Sequence, residues 1–428
     1  MNHLIAEPIL PTQAPTRSLR LNFSWTMTGN VVYAASQWGI LLMLARLGNP
    51  EAVGEFSLGL AITAPVLLFS GLQLRAIQAT DAHDRFQFAD YAGLRLLTST
   101  AAVLGTCIVS AILQTGRMRF IVAAFALAKG VESFSDVVYG LWQHHERLDL
   151  VAQSLILRGV LSVAAAAGCF LAFGSVWTAV CGIAAVWLVV FCAFDLRHAY
   201  KVAGNRKQLI FPRFSRPSLK QLVHLALPLG IGTMLTSFSG NVPRYVIGHV
   251  RGVTELGIFS AVGYVLLAGG MIVNALGQSS IPRLAYYSSQ NRMGDFWRLS
   301  NTLLLAGMIL GVTGIAVAAS FGSRIITMMY GSEYAGDTKL LVWLTVAAAA
   351  SYLASFAGYS LTAAGHFRVQ IPLLSFITAL TAAACYVMVK SGGAVGVAKA
   401  LTLAGFVQLA ASMTILRYKE RRRFVTVS

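Results

Sequence analysis

"VGEFSLGL", residues 53–60, returns 203 residues later as "LGIFSAVG", residues 256–263, and that offset pairs Gly54 with Gly257, Phe56 with Phe259 and Ser57 with Ser260. The same offset sets Gly29 against Gly232, each among Thr and Ser. Both octapeptides follow a short polar loop and open the second of a series of apolar runs. The chain therefore reads as two like halves in tandem.

Apolar runs of about 20 residues, the length that crosses a hydrocarbon core of about 30 Å as helix, recur along the whole sequence. They cover 24–45, 56–77, 93–113, 120–142, 156–174, 177–196, 222–247, 258–281, 301–321, 340–362, 371–389 and 395–416, twelve spans in all. Of the 428 residues 56% are hydrophobic and 11% charged, against about 25% charged in a soluble domain. Six spans per half is an even number, so both halves enter the membrane in the same orientation. Parallel repeats related by an axis along the membrane normal are one plan of secondary transporters, with the substrate path between the halves. The expected fold class is thus an all-α polytopic membrane protein. Its twelve transmembrane helices form two six-helix lobes, related by a pseudo-twofold axis along the membrane normal.

The expected organisation is a flexible cytoplasmic tail over 1–21, with Pro8, Pro11 and Pro15 and no secretory-signal pattern. A first lobe follows over 22–196 and a basic cytoplasmic linker over 197–221, interrupted by Pro212 and Pro217. The second lobe covers 222–416 and a basic cytoplasmic tail 417–428. Orientation follows from Lys and Arg, which are retained on the cytoplasmic side near span ends. With the N-terminus inside, 23 of the 33 Lys and Arg lie in the inside segments or at the cytoplasmic ends of spans, and the outside loops hold 7. Both termini are expected in the cytoplasm. The net charge of +17 is mostly this bias, and basic juxtamembrane runs such as "RYKERRR", 417–423, meet anionic lipid headgroups. Membrane lipids, and not nucleic acid, are the partner it implies.

Spans 1 and 7 are more polar than lipid-facing helices. Span 1 carries Thr26, Thr28, Asn30, Ser36 and Gln37; span 7 carries Thr233, Thr236, Ser237, Ser239 and Asn241, with Pro228 and Pro243. Hydroxyls of this kind also serve as glue between packed spans. Asn30 and Gln37, seven apart, share a face with Tyr33, an arrangement that suits sugar hydroxyls in a wet cavity.

In span 4, "FALAKGVESFSDVVYG" at 125–140 puts Lys129, Glu132 and Asp136 into an otherwise apolar run. At 100° per residue these three fall in one stripe with Ser133, Gly140 and Gln143. Three unpaired charges at mid-membrane would cost roughly 8 to 10 kcal/mol, so the stripe cannot face lipid. Lys129 and Glu132, at i and i+3, can close a salt bridge on themselves. The other reading makes the stripe the lining of a cavity between the lobes. There Lys129 attracts an anionic substrate group, and Glu132 or Asp136 takes a proton or cation. Arg75, Arg95 and Arg158 fall at cytoplasmic span ends of the first half and Arg283 in the second. They either snorkel to the interface or, in the first half, together collect a phosphate through their forked donors. Arg244, in "NVPRY", lies near the outer end of span 7 and Lys399 near that of span 12.

The five cysteines sit in apolar spans without C-x-x-C spacing, and the eight histidines form no H-E-x-x-H pair, so no metal or other cofactor is expected. No G-x-x-x-x-G-K-[ST] loop is present, which leaves an ion gradient, the membrane potential or the substrate's own gradient as the source of work. No long outer loop carries paired carboxylates or a Ser, His and Asp set. Catalysis is not expected.

Four stretches carry a family likeness: "LGNPEAVGEFSLGLAITAPVLLFSGLQLRAIQATD" at 47–81, "FADYAGLRLLT" at 88–98, "ESFSDVVYGLWQHHERLDLVAQSLILRG" at 132–159 and "LPLGIGTMLTSFSGNVPRYVIG" at 227–248. They resemble the Wzx-type O-antigen and capsule flippases of the multidrug/oligosaccharidyl-lipid/polysaccharide export superfamily, over essentially the whole chain after residue 20. The resemblance implies flipping of an undecaprenyl-diphosphate-linked sugar unit to the outer leaflet, ion-coupled, through a V-shaped cavity with cationic lining. It also implies a polysaccharide polymerase or assembly complex as partner. A drug/cation antiporter of the same superfamily is the main alternative, but such exporters usually hold a buried carboxylate on helix 1 or 7, and spans 1 and 7 carry no Asp or Glu. A noncatalytic scaffold of a polysaccharide assembly complex is the third reading.

If the stripe lines the substrate path, Lys129→Ala abolishes transport while the protein inserts normally. Unchanged transport at equal membrane abundance counts against that role.

Overall fold

The computed structural model describes residues 19–81, 85–204 and 211–425. Tail residues 1–18 and 426–428 and linker residues 205–210 lie outside these. Among the described residues every regular element is a helix. The first half holds α1 (Leu19–Leu47), α2 (Pro50–Gly71), α3 (Leu74–Ala79), α4 (Phe88–Leu113), α5 (Met118–His144), α6 (Leu148–Phe173), α7 (Val176–Val190) and α8 (Leu196–Val202). The second holds α9 (Arg216–Val250), α10 (Val253–Tyr264), α11 (Leu267–Ser289), α12 (Met293–Tyr330), α13 (Thr338–Ala363) and α14 (Phe367–Val425). Local chemistry sets the ends. Asn49 caps α2 by accepting from the Ala52 amide at 2.9 Å with Pro50 in the first turn, and Gly174, at φ 63°, closes α6.

Several helices are pieces of one rod. α3 continues α2 past Leu72 and Gln73, both left-handed, and a π-helical turn, Phe191–Asp195, joins α7 to α8. α11 leaves α10 at a 48° bend, and α14 is broken at Gly393, whose φ of 54° and ψ of −142° are not helical. Counted so, the described residues form twelve rods. Eight helices are long and apolar enough to cross a membrane, or nine if the bent pair is one span. α1 and α5 are not among them; they carry the polar and charged residues already singled out. The stretch expected as a linker, 197–221, is helical at both ends. Between them Arg213 docks on α4 through a two-pronged pair with Asp90, 2.8 and 2.9 Å.

The two halves share one apolar core at a single end, the end of the turns at 48–49, 174–175 and 251–252. There Ile40, Phe56 and Phe125 of the first half pack in one cluster with Ile247, Leu256, Phe259 and Tyr330 of the second. At its centre α2 crosses α10 with no side chain between them. A Cβ on Gly54 would strike the Val253 carbonyl, and a Cβ on Gly257 would strike the Pro50 carbonyl. Both pairs, 54 with 257 and 50 with 253, differ by 203, so the contact is reciprocal about a local twofold. Around it Trp38 Nε1 donates to Tyr330 Oη at 3.1 Å, and Arg46 donates to the Met328 and Met329 carbonyls at the last turn of α12.

At the far end the apolar clusters separate. One lies within α11–α14, around Phe296 and Phe356, and another within the first half, around Trp142. Among the described residues only α9 bridges, setting Leu222 and Ala226 against Leu72, Leu74 and Tyr91. α9 lies along α2, where Gly230 makes room for Leu72 and Tyr245 Oη donates to the Ala61 carbonyl at 2.5 Å. Its counterpart α1 has no comparable contact with α10 and α11. The molecule is thus joined at one end and parted at the other, more widely on the α1 side.

Gly257→Val drives a branched side chain into helix backbone, and overpacking of that kind costs about 1–3 kcal/mol or more. Gly263→Val, on the same helix with open space around it, is the control. Thermal unfolding in detergent is expected to show a melting point several degrees lower for the first and near wild type for the second.

Candidate functional site

The α5 stripe borders a cavity of about 560 Å³, walled by residues of α2 to α6. Four cations reach it, each from a different element: Arg75 from α3, Arg95 from α4, Lys129 from α5 and Arg158 from α6. Two carboxylates line it with them, Glu132 and Asp136. The cavity is therefore cationic by two charges.

Each carboxylate is held by cations. Asp136 takes Arg95 Nη2 at 3.0 Å and Arg75 Nη1 at 3.6 Å. Arg75 also donates to Gln143 Oε1 at 3.2 Å and lies over the Tyr139 ring. Glu132 takes Lys129 Nζ at 2.6 Å on one oxygen and the Tyr33 hydroxyl at 2.9 Å on the other. Lys129 also faces the Trp187 ring at 5.3 Å. The self-contained pair read from the i, i+3 spacing therefore exists, and it stands inside a larger network. Its members are not sealed away: the Lys129, Glu132 and Asp136 side chains keep 25, 28 and 36% of their surface. Charges so paired and wetted avoid most of the desolvation cost that a dry, lipid-facing stripe would carry.

Arg95 and Arg158 are each 1% exposed, so snorkelling to an interface does not describe them. The reason lies on neighbouring helices. Arg95 meets Asp136, while Arg158 donates to Ser135 Oγ and stands 3.8 Å from Asp195 Oδ2, between the rings of Tyr139 and Trp187. Asp195 is fully buried and accepts from Ser154 Oγ at 2.7 Å. It closes the π-helical turn, a distortion frequent at functional sites.

Of the other residues read from the sequence, Tyr33 joins the network through Glu132. Asn30, exposed, donates back to the Thr26 carbonyl at 2.8 Å, Gln37 is half-buried on the same helix, and Arg244 donates to Asn241 Oδ1 at 2.9 Å. None of these three lines the cavity. The hollow was expected between the halves, yet all its lining residues belong to the first, because among the described residues only α9 of the second half comes close at this end. Sequence reasoning missed Asp195, Ser135, Tyr139 and Trp187. For Asp195 the signal was present, a carboxylate inside the apolar run 177–196. For the others no signal stood out, because Tyr, Trp and Ser are ordinary packing residues.

A sequence profile of the polysaccharide biosynthesis protein family matches residues 19–288. The chain is 24% identical over 392 residues to capsular polysaccharide biosynthesis protein CapF of Staphylococcus aureus, covering 91% of this chain and 96% of that protein. Among solved structures it is similar to an inward-facing multidrug resistance MATE family transporter of the MOP superfamily. That match has a TM-score of 0.76 at 13% identity over 94% of this chain and all of the other. It is also similar to the lipid II flippase MurJ in an inward closed conformation, with a TM-score of 0.70 at 11% identity over 94% of this chain and 89% of the other. The fold is that of these multi-pass membrane transporters.

Removing one partner of a buried ion pair costs about 3–5 kcal/mol, whereas removing both costs far less. Asp195→Ala is therefore expected to lower the melting temperature sharply, and adding Arg158→Met to restore much of the loss. Differential scanning of the purified variants reads both.

Proposed function

Because the chain belongs to the polysaccharide biosynthesis protein family, we propose that it flips an undecaprenyl-diphosphate-linked oligosaccharide from the cytoplasmic to the outer leaflet of the bacterial inner membrane. One observation carries this reading: four cations from four elements converge on one cavity against two carboxylates. An anionic headgroup suits that balance, and the forked donors of arginine suit phosphate oxygens. The twelve rods are taken as twelve spans in two lobes with both termini cytoplasmic. The joined end then faces outward and the parted end faces the cytoplasm, where the substrate is made. The gap beside α1 leaves room for a polyprenyl tail to stay in lipid while the head enters.

Alternating access follows from one shared core. When the halves part at the joined end and meet at the other, the same cations face the opposite leaflet. A diphosphate carries about two negative charges, and each gains about 2.3 kcal/mol per 100 mV on moving outward through an inside-negative potential. Headgroup phosphates that take Arg75, Arg95 and Lys129 displace Asp136 and Glu132 from their partners. The freed carboxylates are the groups that take up H⁺ or Na⁺, which would couple the cycle to an ion gradient. A surface-polysaccharide polymerase or assembly complex would receive the product. A cationic drug is the poorer cargo, since it would meet two carboxylates already engaged by cations.

Cells lacking the gene are expected to accumulate lipid-linked oligosaccharide facing the cytoplasm, measured by its protection from an externally added glycan-modifying reagent. Drug hypersensitivity without that accumulation would make the protein an exporter. Normal flipping with a disassembled polysaccharide complex would make it a scaffold.

A further inference from the structure

The second half holds a polar cluster that the first-half cavity leaves unused. On α11 Asn274 and Gln278, both exposed, sit at i and i+4 and so share a face. Asn274 Oδ1 accepts from Gln278 Nε2 at 2.9 Å and from the Tyr359 hydroxyl of α13 at 2.7 Å. The arrangement is built by close packing. Gly277 lets the Tyr359 ring lie directly on α11, where any Cβ would strike it. With Asn274 Oδ1 doubly occupied, the Asn274 amide hydrogens, the Gln278 carbonyl and the Tyr359 oxygen lone pairs are the cluster's remaining donors and acceptors. That set offers donors and acceptors and no charge.

Two relations make this cluster the second-half counterpart of the cationic cavity. The 203-residue offset that governs the Gly54–Gly257 crossing pairs Gln278 with Arg75 and Asn274 with Gly71, and both partners line the first-half cavity. Tyr359 likewise stands four residues before the end of α13, as Tyr139 stands five before the end of α5. The depths also agree. Asn274 and Gln278 precede the end of α11 by 15 and 11 residues, and Lys129, Glu132 and Asp136 precede the end of α5 by 15, 12 and 8. At 1.5 Å per residue all lie roughly 12–22 Å from the same end of the bundle. Exposed amides at that depth are costly in hydrocarbon. They belong on a wetted wall.

We propose that Asn274, Gln278 and Tyr359 form a glycan-binding subsite, taking hydroxyl and acetamido groups of the substrate's sugars while the first half holds its anionic head. The inference rests on the flippase reading and deepens it, dividing recognition between a charged half and a neutral one. Sugars fit because their hydroxyls both donate and accept, as the cluster does, and need no countercharge.

The test is equilibrium binding to the full-length protein in nanodiscs, with two probes: undecaprenyl diphosphate, and the lipid-linked oligosaccharide extracted from cells lacking the gene. The Asn274→Ala/Gln278→Ala double variant is expected to bind the oligosaccharide lipid roughly tenfold more weakly, and undecaprenyl diphosphate as wild type does, for two lost hydrogen bonds. Tyr359→Phe, a milder change, is expected to give a smaller loss on the oligosaccharide lipid alone. Arg95→Gln is expected to weaken both. Equal losses on both probes, or no loss on either, overturn the subsite and leave the flippase reading standing. Wild type binding neither probe overturns both.

Discussion

Two helices that touch backbone to backbone set the geometry of this molecule. Where α2 crosses α10, Gly54 and Gly257 leave no side chain between them, and the shared apolar core closes around that point. Close approach through small residues is how membrane helices associate without a hydrophobic driving force between them. Because the contact is reciprocal, it joins the halves in a balanced way, and away from it and from the α9 bridge each half is free to diverge. The parted far end, the cavity there and the gap beside α1 all follow from where that one contact lies.

Divergence exposes polar groups that could not otherwise be tolerated in a membrane, and the two halves spend that freedom differently. The first half gathers four cations and offsets them with carboxylates on neighbouring helices, so that Arg95 and Arg158 can be buried without being bare. The second half presents amides and a phenol at the same depth. Aromatic rings serve both sides: Trp187 and Tyr139 flank Lys129, Arg158 and Arg75, and Tyr359 orders Asn274. On the proposed function, paired charges suit a site that exchanges partners, since an incoming anion has only to replace a carboxylate already present.

Much of this was legible in the residues. Apolar runs located the helices but not always their ends, since α12 (Met293–Tyr330) runs well past the apolar stretch 301–321 on both sides, and the polar stripe of α5 pointed to the cavity because lipid would penalise it heavily. The seven-residue spacing of Asn30, Tyr33 and Gln37 predicted a shared face, but only Tyr33 reaches a partner in the site, and α1 as a whole packs along α6. The burial of Arg95 and Arg158 was hidden for a plain reason: a cation near a span end is equally compatible with water and with a carboxylate on another helix.

The sequence by itself determined that the chain is helical and belongs in lipid, that it repeats at an offset of 203, and that α5 cannot turn its charges outward. These are consequences of composition and period, which act along one helix at a time. Only the tertiary structure decided that the cavity is walled by one half, that Asp195 answers Arg158, and that Gly54 and Gly257 meet. Those facts depend on which helices stand side by side, and hydrophobicity and helical period carry no information about neighbours far apart in the chain.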